Sequence, residues 1–154
     1  MSLALPALLA ERRRLAADGR RLVLTNGCFD LLHTGHLALL EAAHAQGDVL
    51  VVALNSDASV RRNKGAGRPI VPEQERAEAL LALEPVDRVV IYDEDTPAQL
   101  IAALLPDVLV KGADWAEAAI VGRDVVLAAG GRVVRVPLLQ GWSTTGLVER
   151  ARGS

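Results

Sequence analysis

The sequence has one cysteine, no long apolar run and little net charge, and each of these shortages excludes a class of protein. A single cysteine cannot form an internal disulfide or a cysteine-based zinc cluster, and this usage is typical of a reducing cytosol. No apolar run reaches the roughly 18–20 residues needed to cross a bilayer. The formal net charge of −2 provides no basic surface for duplex nucleic acid. We therefore expect neither a membrane nor a nucleic acid as partner.

The chain also lacks an internal repeat, a low-complexity tract and a domain linker. Its 154 residues are enough for one domain with a proper core and too few for two. We expect a single domain over residues 1–154, with an N-terminal helix in 1–18 and a core in 20–150. The N-terminal residues, MSLALPALLAERRRL, are apolar and then basic, the reverse order of a secretory signal, so we expect a cytoplasmic protein.

Predicted strands and helices alternate along the chain. Residues 48–57, DVLVVALNSD, form a valine-rich run that is typical of a strand buried on both faces. Strands are predicted at 20–27, 48–57, 86–92, 108–111 and 132–137, and helices begin near residues 34, 73, 97, 121 and 143, with a loop at 63–72. This pattern predicts an α/β fold, a Rossmann-like doubly wound five-stranded parallel sheet with helices on both faces. Ligands then bind at the carboxyl ends of the strands.

Residues 25–40, TNGCFDLLHTGHLALL, lead from the first strand into a helix and contain two histidines. Gly27 would let the backbone approach a ligand closely. A helix that begins near Thr34 offers free N–H groups to a phosphate. His33 and His36 are three residues apart and share a helix face, so both imidazoles can point at one anion. The simpler alternative is that they only satisfy backbone groups at the start of the helix.

A zinc site is the rival use of paired histidines. It would need a third protein ligand, and only Asp30 and the more distant Asp57 are available for that position. We therefore expect no metal ion held by protein side chains.

The motif at residues 27–36, GCFDLLHTGH, resembles the G-x-F-D-x-x-H-x-G-H signature of the nucleotidyltransferase superfamily related to the cytidylyltransferases. A second hallmark of that superfamily, a serine/threonine cluster opening the last helix, is present as GWSTTGLV. Between them, LNSDASVRRNKGAGRPIVPEQER and DEDTPAQLIAALLPDVLVKGADW resemble the heptose 1-phosphate adenylyltransferase branch. Leu138 stands where glycerol-3-phosphate and phosphoethanolamine cytidylyltransferases commonly have arginine, which also favours the heptose branch. The resemblance covers about residues 22–148.

The resemblance implies transfer of AMP from ATP to D-glycero-β-D-manno-heptose 1-phosphate, giving ADP-heptose and pyrophosphate. It also implies Mg²⁺ bound with ATP, mostly through water, a homodimer, and a heptose kinase as partner or fused domain. Two alternatives stay open. One is a cytidylyltransferase of the same fold that uses CTP and another phosphate or phosphonate. The other is a non-catalytic nucleotide-binding domain, against which the intact histidine motif argues.

The resemblance and the chemistry together assign roles to individual residues. The acceptor phosphate is already dianionic near neutral pH, so the site must align two anions and stabilise charge on the α-phosphate. Catalytic contacts are expected from His33, His36, Lys64, Ser143 and Thr144. Nucleotide contacts are expected from Asn26, Gly27, Cys28, Phe29, His33, His36, Arg76, Lys111, Gly112, Asp114, Ser143, Thr144 and Thr145. Sugar-phosphate contacts are expected from Asp30, Asn55, Asp57 and Lys64.

For Lys64, Arg76 and Asp57 the sequence also suggests a structural setting. We expect Lys64 to lie in a flexible glycine-rich loop that closes over the triphosphate. We expect Arg76 to reach the γ-phosphate side, although an ion pair with a neighbouring glutamate on its own helix is the alternative. Asp57 could instead cap a helix.

Overall fold

Five parallel strands form one sheet in the computed structural model, which describes residues 2–137. The strands are β1 (Leu22–Gly27), β2 (Val49–Asn55), β3 (Arg88–Tyr92), β4 (Val108–Gly112) and β5 (Arg132–Val136). Their order across the sheet is β3-β2-β1-β4-β5, and every neighbouring pair is parallel. The chain therefore builds outward from β1 in one direction and then in the other. That order puts the topological switch point between β1 and β4, and the predicted sheet is confirmed.

The helices lie in the connections between strands and before β1. They are α1 (Leu5–Ala17), α2 (Thr34–His44), α3 (Asp57–Lys64), α4 (Glu73–Leu81), α5 (Ala98–Leu104) and α6 (Arg123–Ala128), with one turn of 3-10 helix at Glu117–Ala119. No helix among these is long and apolar enough to cross a membrane. The helix predicted to begin near residue 143 lies outside the described residues.

Helix α3 is absent from the sequence prediction, which extended the second strand to residue 57 and placed residues 63–72 in a loop. The strand ends at Asn55, and the Ser56 hydroxyl accepts a hydrogen bond from the Ser59 N–H at 3.1 Å. Serine is a favourable N-cap, and an acidic residue in the first turn suits the helix dipole. The loop assignment of Lys64 is therefore wrong, because Lys64 is the last residue of this helix.

The sheet separates two hydrophobic cores. Leu24 points into the core formed with α1, α5 and α6, where Leu8, Ile101 and Val126 are buried. Its neighbour Val23 points into the core formed with α2 and α4. Successive side chains of a strand point to opposite faces of the sheet, and both faces of β1 are covered by a hydrophobic core. Nearly every residue at the start of this strand is therefore apolar.

Helix α1 is tied to the sheet by Arg12. Its guanidinium donates to both carboxylate oxygens of Asp107, at 2.9 and 3.1 Å, and to the carbonyl oxygens of Leu104 and Leu105. Asp107 also accepts from the N–H of Leu22 at 2.8 Å. The Asp107 carboxylate thus links the N-terminal helix to the starts of β1 and β4. These amino-terminal ends of the strands lie on the side of the sheet away from the carboxyl ends.

Candidate active site

A cleft with a volume of about 590 Å³ runs along the carboxyl edge of the sheet. This size is ordinary for a small-molecule site, and the location is the one that a doubly wound sheet predicts. The predicted site residues that line it are Asn26, Gly27, Cys28, Phe29, His33, His36, Asn55, Lys64, Lys111, Gly112 and Asp114. Segments far apart in the sequence, after β1, β2 and β4, therefore meet in one place. Ser143, Thr144 and Thr145 lie outside the described residues.

His33 and His36 fix the start of α2 through reciprocal hydrogen bonds. Nδ1 of His33 accepts from the N–H of Gly35 at 3.0 Å and from that of His36 at 3.3 Å. Nδ1 of His36 accepts from the N–H of His33 at 3.3 Å, which completes a capping box. The two rings stack with centroids 3.9 Å apart. Since Nδ1 accepts in both rings, the hydrogen bonds assign the proton of each neutral imidazole to Nε2.

The environment of His36 keeps its imidazole neutral. Burial, and then the charge of His33, lower the pKa of His36 to about 4. Near pH 7 this side chain is therefore a neutral N–H donor. The alternative from the sequence, that the histidines satisfy backbone groups at the start of the helix, is confirmed, and the nitrogens that do so are Nδ1 of each ring.

The structure shows a further reason for glycine at position 27, besides the predicted close approach to a ligand. A Cβ atom at this position would lie 3.0 Å from Cε2 of Phe29, which is too close without movement of the ring. Phe29 has a φ of 47° and is buried, and its ring centroid lies 5.2 Å from that of His36. The glycine thus allows the phenylalanine ring to fold back against the strand end and pack beside the histidine.

Lys111 brings a positive charge to the cleft from β4. Its Nζ donates to the carbonyl oxygen of Asn26 at 3.0 Å and lies 5.2 Å from the ring centroid of Trp115. Burial lowers the pKa of Lys111 to about 8, while the nearby Asp114 opposes that shift. Trp115 is 46% exposed and also lines the cleft. The sequence prediction gave it no role, although an exposed aromatic residue after a strand's carboxyl end is a signal for ligand contact.

Two asparagines and a tyrosine on three neighbouring strands also line the cleft. Asn26 is on β1, Asn55 ends β2, and Tyr92 ends β3 beside Asn55 in the sheet. The Tyr92 hydroxyl is hydrogen-bonded to both asparagine side chains, and burial is the main reason why its pKa is raised. Asn55 also donates from Nδ2 to Oγ of Ser59 at 3.0 Å. Tyr92 is a cleft residue that the sequence prediction missed, because its ring belongs to the hydrophobic core and reads as a strand residue.

Lys64 enters the cleft from the end of α3, and that helix is held to the segment after β3. Oγ of Ser59 donates to the carbonyl oxygen of Glu94 at 2.7 Å. Nε of Arg62 donates to Oδ1 of Asp95 at 2.7 Å, and Nδ2 of Asn63 donates to the Asp95 carbonyl oxygen at 2.8 Å. Lys64 therefore sits on an element with several fixed contacts and not in the flexible loop that the glycines suggested.

Arg76 does not line the cleft, and it pairs with neither neighbouring glutamate. It is 1% exposed. Its guanidinium donates to the carbonyl oxygens of Cys28, Asn55 and Val71 and to Oδ1 of Asp57, each at 2.8 Å. The structure therefore corrects the expectation that Arg76 reaches the γ-phosphate. Instead it ties the carboxyl ends of β1 and β2 to the start of α3, while Asp57 supplies its counter-charge in the helix's first turn.

The carboxylate of Asp30 is also directed into the protein. It accepts from the N–H groups of Ile70 and Val71 and from Nε of Arg68, the last at 2.8 Å. Burial alone would raise the pKa of Asp30, but these hydrogen bonds outweigh it, and the pKa is lowered. Asp30 and Asp57 are therefore not among the cleft-lining residues, and their observed contacts hold segments next to the site.

No group of three or more histidine, cysteine, aspartate or glutamate side chains within residues 2–137 is arranged to hold a metal ion. The carboxylates that line the cleft, Asp95 and Asp114, follow β3 and β4, and two strands lie between these in the sheet. The described side chains thus do not form a protein cage for Mg²⁺.

Residues 24–137 match the model of the family described as cytidylyltransferase-like. The chain belongs to that family. The match begins at the third residue of β1 and ends just after β5, so it spans the rest of the sheet and every cleft-lining residue. It confirms the resemblance first indicated by the motif around His33 and His36.

Two curated relatives are much longer than the chain. It is 60% identical to Bifunctional protein HldE of Azorhizobium caulinodans over 136 residues, which are 88% of this chain and 28% of that protein. It is 59% identical over 150 residues to the Bradyrhizobium diazoefficiens protein of the same name, covering 97% of this chain and 30% of the relative. The chain thus spans less than a third of the length of these curated relatives.

A solved structure shares the fold over almost its full length. The lipopolysaccharide core biosynthesis protein from Thermoplasma volcanium GSS1 superposes with a TM-score of 0.64 at 30% sequence identity. The superposition covers 79% of this chain and 98% of that one. This agreement confirms the Rossmann-like sheet with helices on both faces.

Proposed function

We propose that this chain is a nucleotidyltransferase that transfers AMP from ATP to D-glycero-β-D-manno-heptose 1-phosphate, giving ADP-heptose and pyrophosphate. The observation that carries the proposal is the cleft itself, which is lined by the neutral imidazole of His36, by the stacked ring of His33 and by Lys64 and Lys111. The similarity to the bifunctional HldE proteins, together with the segments that resemble the heptose branch, supports the choice of substrates.

In this reaction an oxygen of the sugar phosphate attacks the α-phosphorus of ATP, and the bond between that phosphorus and the bridging β-oxygen breaks. The attacking phosphate is already dianionic, so no general base is needed. Negative charge grows on the α-phosphate oxygens and on the departing pyrophosphate. Fixed N–H donors at those oxygens lower the barrier, and Nε2–H of His33 and of His36 would be these donors.

The two lysines would act on different substrates. Lys111 lies at the β4 end of the cleft, beside Trp115, and would meet the nucleotide. Lys64 lies on the β2 and β3 side and would meet the sugar phosphate. With a pKa of about 8, most Lys111 side chains carry a proton at pH 7, and an arriving anion favours the charged form further.

Mg²⁺ would enter with ATP, held by phosphate oxygens and water, and would neutralise part of the triphosphate charge. Ser143, Thr144 and Thr145 would contact the β- and γ-phosphates, as the resemblance implies.

We further propose a cytoplasmic homodimer, since two-fold dimers are the commonest homo-oligomers. The word bifunctional in the relatives' name supports a second activity nearby, for which a heptose kinase is our proposal.

The test is pyrophosphate release from the purified chain with each pairing of ATP or CTP and a panel of sugar 1-phosphates. We expect the highest kcat/KM with ATP and heptose 1-phosphate. A preference for CTP would support the alternative cytidylyltransferase. Release of no pyrophosphate with any pair, from folded protein that binds ATP, would support a non-catalytic domain.

A further inference from the structure

The two ends of the cleft differ in chemistry. The segment that follows β4 presents the Trp115 ring, with Nζ of Lys111 5.2 Å from the ring centroid. Flat apolar surface of this kind suits the face of a nucleobase. The opposite end, which we call the β3 wall, consists of Asn63, Lys64, Asp95 and Thr96. Its surface is polar and carries both signs of charge.

Asp95 is held in a fixed position on the β3 wall. Its Oδ1 accepts from Nε of Arg62 at 2.7 Å, and its carbonyl oxygen accepts from Asn63 at 2.8 Å. Oδ2 has no hydrogen-bond donor among residues 2–137, and the side chain is 65% exposed toward solvent. A carboxylate that is anchored through one oxygen and accessible through the other is preorganised to accept hydrogen bonds from a ligand.

The charge of Asp95 decides which part of the substrates can lie against it. A carboxylate repels the phosphates of ATP but accepts strong hydrogen bonds from neutral hydroxyls. Thr96, the next residue, adds a hydroxyl that can donate or accept. Lys64 on the same wall supplies a cation for a phosphate group. Hydroxyl acceptors next to a cation match a phosphorylated polyol.

We propose that Asp95 and Thr96 recognise the hydroxyl groups of the sugar and so determine which sugar phosphate the enzyme accepts. The inference rests on the proposed function and adds two residues that the sequence motif did not indicate. Lys64 meets the phosphate of the same substrate, which places the sugar ring between α3 and the segment after β3. The nucleotide then occupies the β4 end.

A site built to bind a hydroxyl discriminates against an analogue that lacks it, because the site's own polar group is left unpaired. Loss of Asp95 should therefore reduce this discrimination as well as the rate. A variant that merely loosens the fold would lower activity toward all sugar phosphates and leave their ratio unchanged. The ratio is thus the readout that separates recognition from stability.

The experiment compares wild type with Asp95→Ala and Thr96→Val, using ATP with heptose 1-phosphate and with analogues that lack one hydroxyl. We expect kcat/KM for heptose 1-phosphate to fall roughly 10- to 100-fold in Asp95→Ala, the scale for a hydrogen bond to a charged group. The ratio of heptose 1-phosphate to at least one deoxy analogue should fall toward one, and the KM for ATP should change less than about twofold. Arg62→Ala, which removes the anchor and keeps the carboxylate, should give a smaller loss.

The outcomes separate the two proposals. If wild type forms no nucleotide sugar from ATP and heptose 1-phosphate, the proposed function fails. If wild type is active but Asp95→Ala keeps its discrimination between sugar phosphates, the proposed role of the β3 wall is overturned and the proposed function stands. Should Asp95→Ala not fold, Asp95→Asn retains the size of the side chain, and the same ratio decides.

Discussion

His33 and His36 cap the same helix reciprocally, each accepting the other's backbone N–H through Nδ1 at 3.3 Å. This relationship fixes both rings against the start of α2 and leaves Nε2 as the protonated nitrogen in each neutral imidazole. The same two side chains that cap the helix are the ones that we propose as donors to the phosphates.

Replacing His36 with alanine should lower kcat by roughly 10²–10³, the scale for losing one preorganised donor to a charged transition state. The KM for ATP should change far less, because the donor acts mainly on charge that develops during the reaction. Steady-state kinetics with ATP and heptose 1-phosphate measure both. His44→Ala is the matched control, since His44 lies at the other end of α2 and pairs with Asp87. More than half of wild-type turnover in His36→Ala would refute the role of His36.

The lowered pKa of His36 should also make folding stability depend on pH. The unfolded chain binds a proton on this side chain near pH 6.5, whereas the folded protein binds it only near pH 4. Between these values the unfolded state holds more protons, so the free energy of unfolding falls as the pH is lowered through that window. Urea denaturation at pH 7 and pH 5 measures the difference. His36→Gln should reduce this pH dependence, and an unchanged dependence would contradict the assigned pKa.

Lys64→Ala should lower kcat more than it raises the KM for ATP. The physical reason is that Lys64 lies on the β3 wall, where it would hold the attacking sugar phosphate in position. Arg61→Ala is the control, because Arg61 is an exposed cation on the same helix that does not line the cleft. Kinetics with each substrate varied in turn decide the matter. Equal, small effects of the two substitutions would show that only the general positive charge of α3 matters.

Arg76→Met should destabilise the fold by about 2–4 kcal/mol, because it removes four hydrogen bonds from buried or partly buried acceptors at once. Arg132→Met serves as control, since Arg132 is exposed and makes one long hydrogen bond, of 3.4 Å, to Gln46. Urea unfolding followed by circular dichroism reports both. If Arg76→Met lowers the free energy of unfolding by less than about 0.5 kcal/mol, the usual range for surface substitutions, the hydrogen bonds of Arg76 do not stabilise the fold.

The sheet was predictable because its signals are strong and local. The valine-rich run of β2 and the alternation of strands with helices are compatible with few fold topologies. In those topologies ligands bind at the carboxyl ends of the strands, so the location of the cleft could be predicted as well. The histidine motif revealed part of the cleft lining for the same reason, since its residues lie close together in sequence.

Contacts between distant segments were not predictable in this way. Arg76 reads as a surface residue of an amphipathic helix, yet its partners include Cys28, which is 48 positions earlier in the chain. Helix α3 is short and polar, so apolar periodicity did not reveal it, and its signals in the sequence were the N-cap Ser56 and the acidic Asp57 in its first turn. The positions of Asp95 and Lys64 on one wall depend on hydrogen bonds between α3 and the segment after β3, and a single sequence does not show such pairings.

The most direct test of the central claim is ³¹P NMR of one reaction mixture containing the chain, MgATP and D-glycero-β-D-manno-heptose 1-phosphate. If the cleft around His33 and His36 transfers AMP, the sugar phosphate signal should disappear while equal amounts of a pyrophosphate diester and of pyrophosphate appear. The same mixture with CTP in place of ATP should stay unchanged over that time. Unreacted heptose 1-phosphate with ATP, or faster conversion with CTP, would contradict the account.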